Sequence, residues 1–568
     1  GSGAGGSLQP DGFGAAAFAE GAVTEFLARG ELPPHAELQD EFGYGSGALR
    51  FNLQLPAGAG GEVYLAIPFG NITEGPDENL RSLTGTDAYA RAIEHWKTQL
   101  GAFEIRLPPQ FRHVTDTLRT AAAHILVNRD GPALHPGPRR YSRSWIRDGV
   151  LMGAALARVG CAEALRDFMR WYADYQTEDG NFPDCVDPEE TEWLPEFDAY
   201  GQFVYGIVEY WRFSGDKDFL SEMWPAVAKT LRYMEDLRSR RLTADYRLPE
   251  KLACYGLLPE SMSHEGYMAH PVHAYWDDFW ALRGLKDASQ MAEALGYGEE
   301  AARLSSCRDE FCRDLYLSLN RVIAERAIDF VPGSVEFADF DPAATAIALA
   351  PVDEGQRLPE PAIDRTFDRY LAGFRERAGG KVDWNNYSAY EIRIVGALIR
   401  LGRRADALEL LDYLLADRRI APWNQWPEIS WRDPEGPSFI GDLPHTWISG
   451  EYILSARSLF AYEREADESL VIAAGVSSEW LADGFEVAVE NLPTWYGKLS
   501  YSLKYEGGDF LRLKLSGELA LPPGGIVVLP PLPRPIRQVA VNGKVLHVDC
   551  GEDGFCLRQC PAEALVSF

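Results

Sequence analysis

Three regimes of hydrophobic patterning follow one another along the chain. From about residue 10 to 75, apolar and polar residues alternate over short runs bounded by Gly or Pro, as in Leu49-Arg50-Phe51-Asn52-Leu53-Gln54-Leu55-Pro56 and Glu62-Val63-Tyr64-Leu65-Ala66-Ile67-Pro68. A period of two marks half-buried strands, so this stretch is predicted to be β-sandwich-like. From about 86 to 465 the period is helical, and apolar segments stop at a glycine: Leu151 to Gly160, Phe203 to Gly215, Met291 to Gly296 and Ile394 to Gly402, each followed by an Ala/Leu/Glu-rich second helix. Glycine just past a helix end supplies the left-handed closing turn. Beyond about 466, alternation returns at 485–489, 499–503, 511–515 and 539–543.

Paired helices must stack to bury their apolar faces. Their irregular spacing and the long aromatic loops between them favour a closed toroid over an open solenoid. Domains are expected at 1–85 (N-terminal β region), 86–465 (helical catalytic region) and 466–568 (C-terminal β domain). Residues 1–7, Gly1-Ser2-Gly3-Ala4-Gly5-Gly6-Ser7, read as an artificial scar or linker rather than a signal peptide.

Composition narrows the function. A formal charge of −30 argues against nucleic acid and anionic membranes, which need clustered Lys and Arg. There is no apolar run of about 18 residues to span a bilayer. The eight cysteines form no CxxC pair, and no His partners lie at zinc spacing, so neither a metal nor a cofactor is expected. Reduced thiols and a cytoplasmic location are the expectation. A neutral or cationic small ligand is easier for such a chain to accommodate.

Candidate chemistry lies in two acidic segments set among aromatic rings, Pro195-Glu196-Phe197-Asp198-Ala199-Tyr200 and Trp426-Pro427-Glu428-Ile429-Ser430-Trp431. Acetal cleavage needs one protonated carboxyl to protonate the leaving oxygen and one carboxylate to activate water or attack carbon. Asp198 or Glu196 is the candidate acid and Glu428 the candidate base. Arg147 and Asp148 form a fork for vicinal hydroxyls, with Trp145 as a floor. Asp148 and Asp198 equally suit helix caps. His273, Tyr275, Trp276 and Asp277 suit a second pocket wall, although Trp276 and Trp280, four residues apart, equally suit a core-facing helix stripe. Asp383, Trp384, Trp426, Trp431, His445 and Trp447 complete the candidate sugar contacts.

The aromatic-x-Arg-Asp element at Trp145-Ile146-Arg147-Asp148 resembles the one opening the (α/α)6 barrel of glucoamylase-type glycosidases, where the pair grips the terminal sugar. Asp198-Ala199-Tyr200-Gly201-Gln202-Phe203 resembles the acid-bearing segment of glycogen-debranching enzymes, while Glu196 falls where glucoamylases place their acid. Glu428 precedes the Thr446-Trp447 helix start by a distance similar to that of the glucoamylase base. The resemblance spans roughly 105 to 465 and implies a mainly α (α/α)6 toroid flanked by β-sandwich-like regions, carrying an exo-acting glycoside hydrolase. Such barrels mostly invert, which implies a carboxyl separation of roughly 6.5–9.5 Å. The chain lacks the paired Glu-Glu acid motif of glucoamylases and the barrel signatures of trehalases. A phosphorylase on the same barrel and a non-catalytic glycan-binding protein are the rival readings.

Overall fold

The computed structural model describes residues 10–41, 44–65, 84–187, 190–532, 534–546 and 554–568. The chain divides into two compact units, Gly1–His95 and Trp96–Phe568.

In the first unit, strands Gly12–Ala16 and Ser46–Arg50 pair antiparallel, and a short helix spans Val23–Ala28. The strand expected through Pro56 ends at Arg50, and Glu62–Leu65 form none. Residues 66–68, the rest of that expected strand, and 1–7 lie outside the described residues. The physical reason is visible in the side chains: Leu49, Leu53, Leu55, Tyr64 and Leu65 are exposed, so the alternation has no second sheet to bury it. Among the described residues this region is a two-stranded ribbon, not a sandwich.

In the second unit, twelve helices of eight or more residues lie between Arg112 and Phe460 among the described residues. They are α1 (Arg112–Val127), α2 (Ile146–Arg158), α3 (Glu163–Ala173), α4 (Asp198–Ser214), α5 (Lys217–Ser239), α6 (Tyr275–Ala294), α7 (Gly298–Arg326), α8 (Pro342–Leu349), α9 (Ala362–Ala378), α10 (Ile392–Arg400), α11 (Arg404–Ala416) and α12 (Thr446–Phe460). The two alternating sets differ in composition. Every residue of α2 is buried, whereas α3 buries one stripe, Ala164, Leu165, Phe168, Met169 and Tyr172. The even-numbered helices pack in succession from α2 through α4, α6, α8 and α10 to α12, and α12 packs back against α2. Each odd-numbered helix covers an even-numbered neighbour. As the patterning predicts, Gly160, Gly215, Gly296 and Gly402 close their helices at φ of +89°, +74°, +80° and +73°.

One crossing fixes the geometry further on. A Cβ added to Gly201 in α4 would lie 1.9 Å from the Trp280 carbonyl oxygen of α6, and one on Gly284 would lie 2.8 Å from the Gly201 Cα. The two backbones touch because neither residue carries a side chain.

All four C-terminal strands expected from the pattern form. They lie in a seven-stranded antiparallel sheet ordered Lys544–Leu546, Gln538–Val541, Ala562–Ser567, Phe510–Ser516, Gly497–Tyr505, Glu486–Thr494 and Glu104–Arg106. A four-stranded sheet joins Ala461–Arg464 to Ser469–Ile472, so position 465 falls inside one sheet. Arg457 of α12 ties this sheet to the helices, donating to both Glu463 carboxylate oxygens and to the Pro493 carbonyl. No helix among the described residues is long and apolar enough to cross a membrane.

Gly201→Ala forces α4 and α6 apart and is expected to cost about 1–3 kcal/mol, the usual price of overpacking a tight contact. Gly298→Ala, where an added Cβ meets nothing within 4 Å, is the control. Urea unfolding midpoints check both, and equal midpoints for the two variants would refute the backbone contact.

Candidate active site

The first turns of the even-numbered helices converge on one cavity of about 290 Å³. Arg147 and Asp148 come from the first turn of α2, Trp276 from α6, Ala343 and Ala344 from α8, Arg393 from α10 and Trp447 from α12. Each such helix end presents a partial positive charge.

Arg147 is the hub of one wall. Its buried guanidinium donates through Nη1 to Glu196 Oε2 at 2.7 Å and to Asp198 Oδ2 at 3.3 Å, and Nη2 lies 3.7 Å from Glu265 Oε1. Asp198, the first residue of α4, is placed by the Gly201–Gly284 crossing so that Trp276 Nε1 donates to Oδ2 at 2.7 Å. Gln202, one turn on, donates to the same oxygen at 2.8 Å. Three donors therefore hold Oδ2. Glu196 lies behind Arg147 with Oε1 buried and without a partner. Burial, reinforced by the neighbouring Asp198 carboxylate, pushes its pKa up to about 8 against the pull of Arg147. Glu196 thus retains its proton at neutral pH.

The opposite wall is built from loops. Strand Ile429–Trp431 pairs with Asn386–Ser388, which sets Glu428 beside Tyr390. Tyr141 Oη donates to Glu428 Oε2 at 2.8 Å and Tyr390 Oη to Oε1 at 3.4 Å. Burial raises the Glu428 pKa, and the Tyr141 hydrogen bond opposes that rise. Gly441, at φ +69°, backs this carboxylate: a Cβ there would lie 2.6 Å from Oε2. The buried Asp442 next to it accepts the backbone N–H groups of Arg139 at 2.8 Å and Tyr141 at 3.0 Å. Gly137 lets the strap close over it, since a Cβ there would lie 2.3 Å from the Asp442 Cβ. Asp442 is therefore what aims Tyr141 at Glu428.

Between the walls sits Asp148, buried, with no hydrogen bond from another side chain among the described residues. Burial, together with the Glu265 and Glu428 charges, raises its pKa well above the ordinary carboxylate range, against Arg147. His445 is held neutral, its pKa lowered by burial to about 3.

Of the side chains singled out from sequence, Trp145, Arg147, Asp148, Trp276, Glu428, His445 and Trp447 line the cavity. Asp198 and Glu196 lie immediately behind its Arg147 wall rather than on it. The others are elsewhere. His273 donates or accepts through Nδ1 with Glu336 at 2.7 Å and takes Arg241 Nε on Nε2 at 3.0 Å. It groups with Cys254 and Glu336 at metal-ligand distances, but both its ring nitrogens are already used. The Tyr275 hydroxyl is tied to Ser318, and Asp277 accepts from Ser261 and Ser263. Asp383 is exposed and paired with Arg432. Trp384 packs on Tyr387. Trp426 is a core residue, donating to the Leu414 carbonyl and packing against Tyr452. Trp431 donates to the Phe439 carbonyl. Sequence reasoning missed Tyr390, Arg393 and Glu265. Glu265 sits in an irregular loop at φ +64°, where no periodicity marks it.

Comparison with known proteins gives a consistent fold. A family profile, the bacterial alpha-L-rhamnosidase 6 hairpin glycosidase domain, matches residues 138–315. A Methanocaldococcus jannaschii protein described as an uncharacterized glycosyl hydrolase is 23% identical over 261 residues, covering 44% of this chain and 38% of that protein. The alpha-L-rhamnosidase of Dictyoglumus thermophilum superposes with a TM-score of 0.56 at 13% identity over 82% of this chain and 50% of its own. That of Streptomyces avermitilis, solved with L-rhamnose, gives 0.53 at 16% identity over 82% and 42%. The chain thus spans half or less of the length of these relatives, and the structural likenesses speak for the fold.

Tyr141→Phe removes the donor that favours ionised Glu428, so the Glu428 pKa rises. A group that must be ionised then loses activity at higher pH, and the acidic limb of the pH–rate profile is expected to move up by roughly one pH unit. Asp442→Asn is expected to shift it the same way, and the double variant no further than Tyr141→Phe alone. An unmoved acidic limb would refute the assignment.

Proposed function

We propose that this chain is a glycoside hydrolase that releases a terminal sugar from an oligosaccharide or glycoconjugate, on helices arranged as an (α/α)6 toroid. The observation that carries the reading is an aromatic cavity flanked by two differently tuned acids: a proton-retaining Glu196, beside Asp198 on Arg147, and Glu428 held by tyrosine donors. The likeness to glycosidase domains supports it, and the alpha-L-rhamnosidase relatives make α-L-rhamnosides the first substrates to try. The glucoamylase-like Arg147-Asp148 and debranching-like Asp198 segments add α-glucosides. The domain division at 85 and 465 belongs to the same proposal. The free thiols of the seven described cysteines support a cytoplasmic setting.

In the proposed reaction, Arg147 and Asp148 hold the sugar hydroxyls. Asp198, or Glu196 in its place, is the acid that protonates the glycosidic oxygen as the C1–O bond breaks, acting from behind Arg147. Glu428 takes a proton from water as that water's oxygen bonds to C1 from the other face, so the anomer inverts. The acid ends ionised and Glu428 protonated, and exchange with solvent restores both. A carboxyl separation of roughly 6.5–9.5 Å belongs to this inverting reading. The phosphorylase alternative needs free cationic donors, and the wall guanidiniums of Arg147 and Arg393 are both already paired with carboxylates.

An aryl-glycoside and disaccharide panel followed by proton NMR tests substrate and stereochemistry together, with the inverted anomer expected. Glu428→Gln and Asp198→Asn are each expected to lower kcat by roughly 10²–10⁴, and unaltered activity in either would overturn the mechanism. Turnover should also fall as pH rises through about 8, where Glu196 loses its proton. Glu196→Gln removes that titration, so the limb near pH 8 is expected to vanish from the pH–rate profile.

A further inference from the structure

We propose that the cavity selects its sugar by charge, taking neutral or amino sugars and excluding uronic acids and phosphorylated sugars, with Glu265 at the mouth setting the exclusion. The inference rests on the reading of the cavity as a sugar site and adds the substrate class.

Its ground is the balance of charge on the wall. Two cations face the cavity, Arg147 and Arg393. Arg147 is committed to Glu196 and Asp198, and Arg393 to Glu451 at 2.7 Å. Each guanidinium charge is thus offset by a carboxylate of the chain, and a ligand anion would have to compete for it, with the Nε–H of each left without a partner among the described residues. One wall acid, Glu391, is answered in place by Arg377, and Asp341 has as a side-chain partner only the His264 ring at 3.7 Å. Asp148, Glu265 and Glu428 are not so answered. Asp148 is 4% exposed and lines the cavity with no side-chain donor among the described residues, so it meets a ligand unpaired. Glu265 has only the long 3.7 Å approach to the already shared Arg147, and its side chain is 46% exposed at the rim.

The helix ends do not reverse this balance. Their partial positive charges face acids of the chain itself, since Asp148, Asp198 and Asp277 stand in the first turns of α2, α4 and α6. A ligand anion would meet the Glu265 and Glu428 carboxylates while both wall guanidiniums are already paired, and like charges held together out of bulk water repel strongly. An ammonium would instead meet acceptors. Hydroxyl groups suit the site equally, because they can donate to ionised carboxylates and accept from protonated ones.

The test uses D-glucose, D-glucosamine and D-glucuronate as probes, with binding to the full chain followed by saturation-transfer NMR at pH 6.5 and low salt. Glucosamine is expected to bind at least as tightly as glucose and glucuronate at least tenfold more weakly. Glu265→Lys is expected to narrow the glucose-to-glucuronate gap at least tenfold, and Glu265→Gln to narrow it less. The residue is exposed, and melting temperature checks that both variants fold. Glucuronate binding as well as glucose, a gap unmoved by Glu265→Lys, or no binding of any of the three overturns the proposal. Hydrolysis of neutral 4-nitrophenyl glycosides, run alongside, separates the two readings: no turnover with the charge ranking intact would end the hydrolase reading and leave charge selection standing.

Discussion

A guanidinium buried where three helices meet governs the arrangement of this molecule. Arg147 is 3% exposed, and a cation so far from water is tolerable only if carboxylates and hydrogen bonds replace its hydration. Glu196 and Asp198 do so, and the requirement runs backwards into the fold. Asp198 reaches Arg147 only because it opens α4, and Trp276 reaches Asp198 only because α4 and α6 cross with backbones in contact at Gly201 and Gly284. Two carboxyls bound to one guanidinium cannot both ionise cheaply in so dry a place, and the raised pKa of Glu196 follows from that burial and crowding.

Glu428 has a different support. It stands on a short strand and is aimed by a strap whose backbone wraps Asp442, with glycines at 137 and 441 where any side chain would strike a carboxylate-bearing residue. Phenol hydroxyls donate to it, and a donated hydrogen bond favours the ionised form just as burial disfavours it. One acid is thus set by rigid helix ends and a shared cation, the other by loops and neutral donors. The two acids draw on different hydrogen-bond donors, while the charge of Arg147 acts on both Glu196 and Glu428.

Much of this was legible in the chain. Helical period, glycine stops and returning alternation gave the hairpins and the C-terminal strands, because those signals are local. The Arg147-Asp148 and Glu428 segments stood out because charged residues beside tryptophans at a helix start are unusual. What could not be read was the direction in which a given aromatic faces. Trp426 and Trp447 sit in similar surroundings along the chain, yet one fills the core and the other lines the cavity. Trp276 and Trp280 share a helix, and only Trp276 reaches the wall. His273 looked available until its partner Glu336, far along the chain, was seen to hold it. The N-terminal alternation misled for the same reason, since a strand pattern says nothing about whether a second sheet exists to cover it.

The opposed electrostatics of the helix ends complete the logic. Five first turns lining one hollow, with that of α4 just behind it, create a positive field that would depress nearby carboxyls. Had the chain placed neutral residues there, the hollow would attract anions, as helix N-termini generally do. It placed Asp148, Asp198 and Asp277 there instead, and burial among like charges drives Asp148 well above the ordinary range and Asp277 to about 7. The field of the helix ends is thereby spent on holding acids in a water-poor hollow, where small differences in donors decide which carboxyl keeps its proton. That is the condition under which one protein can present an acid and a base to the same bond at the same pH.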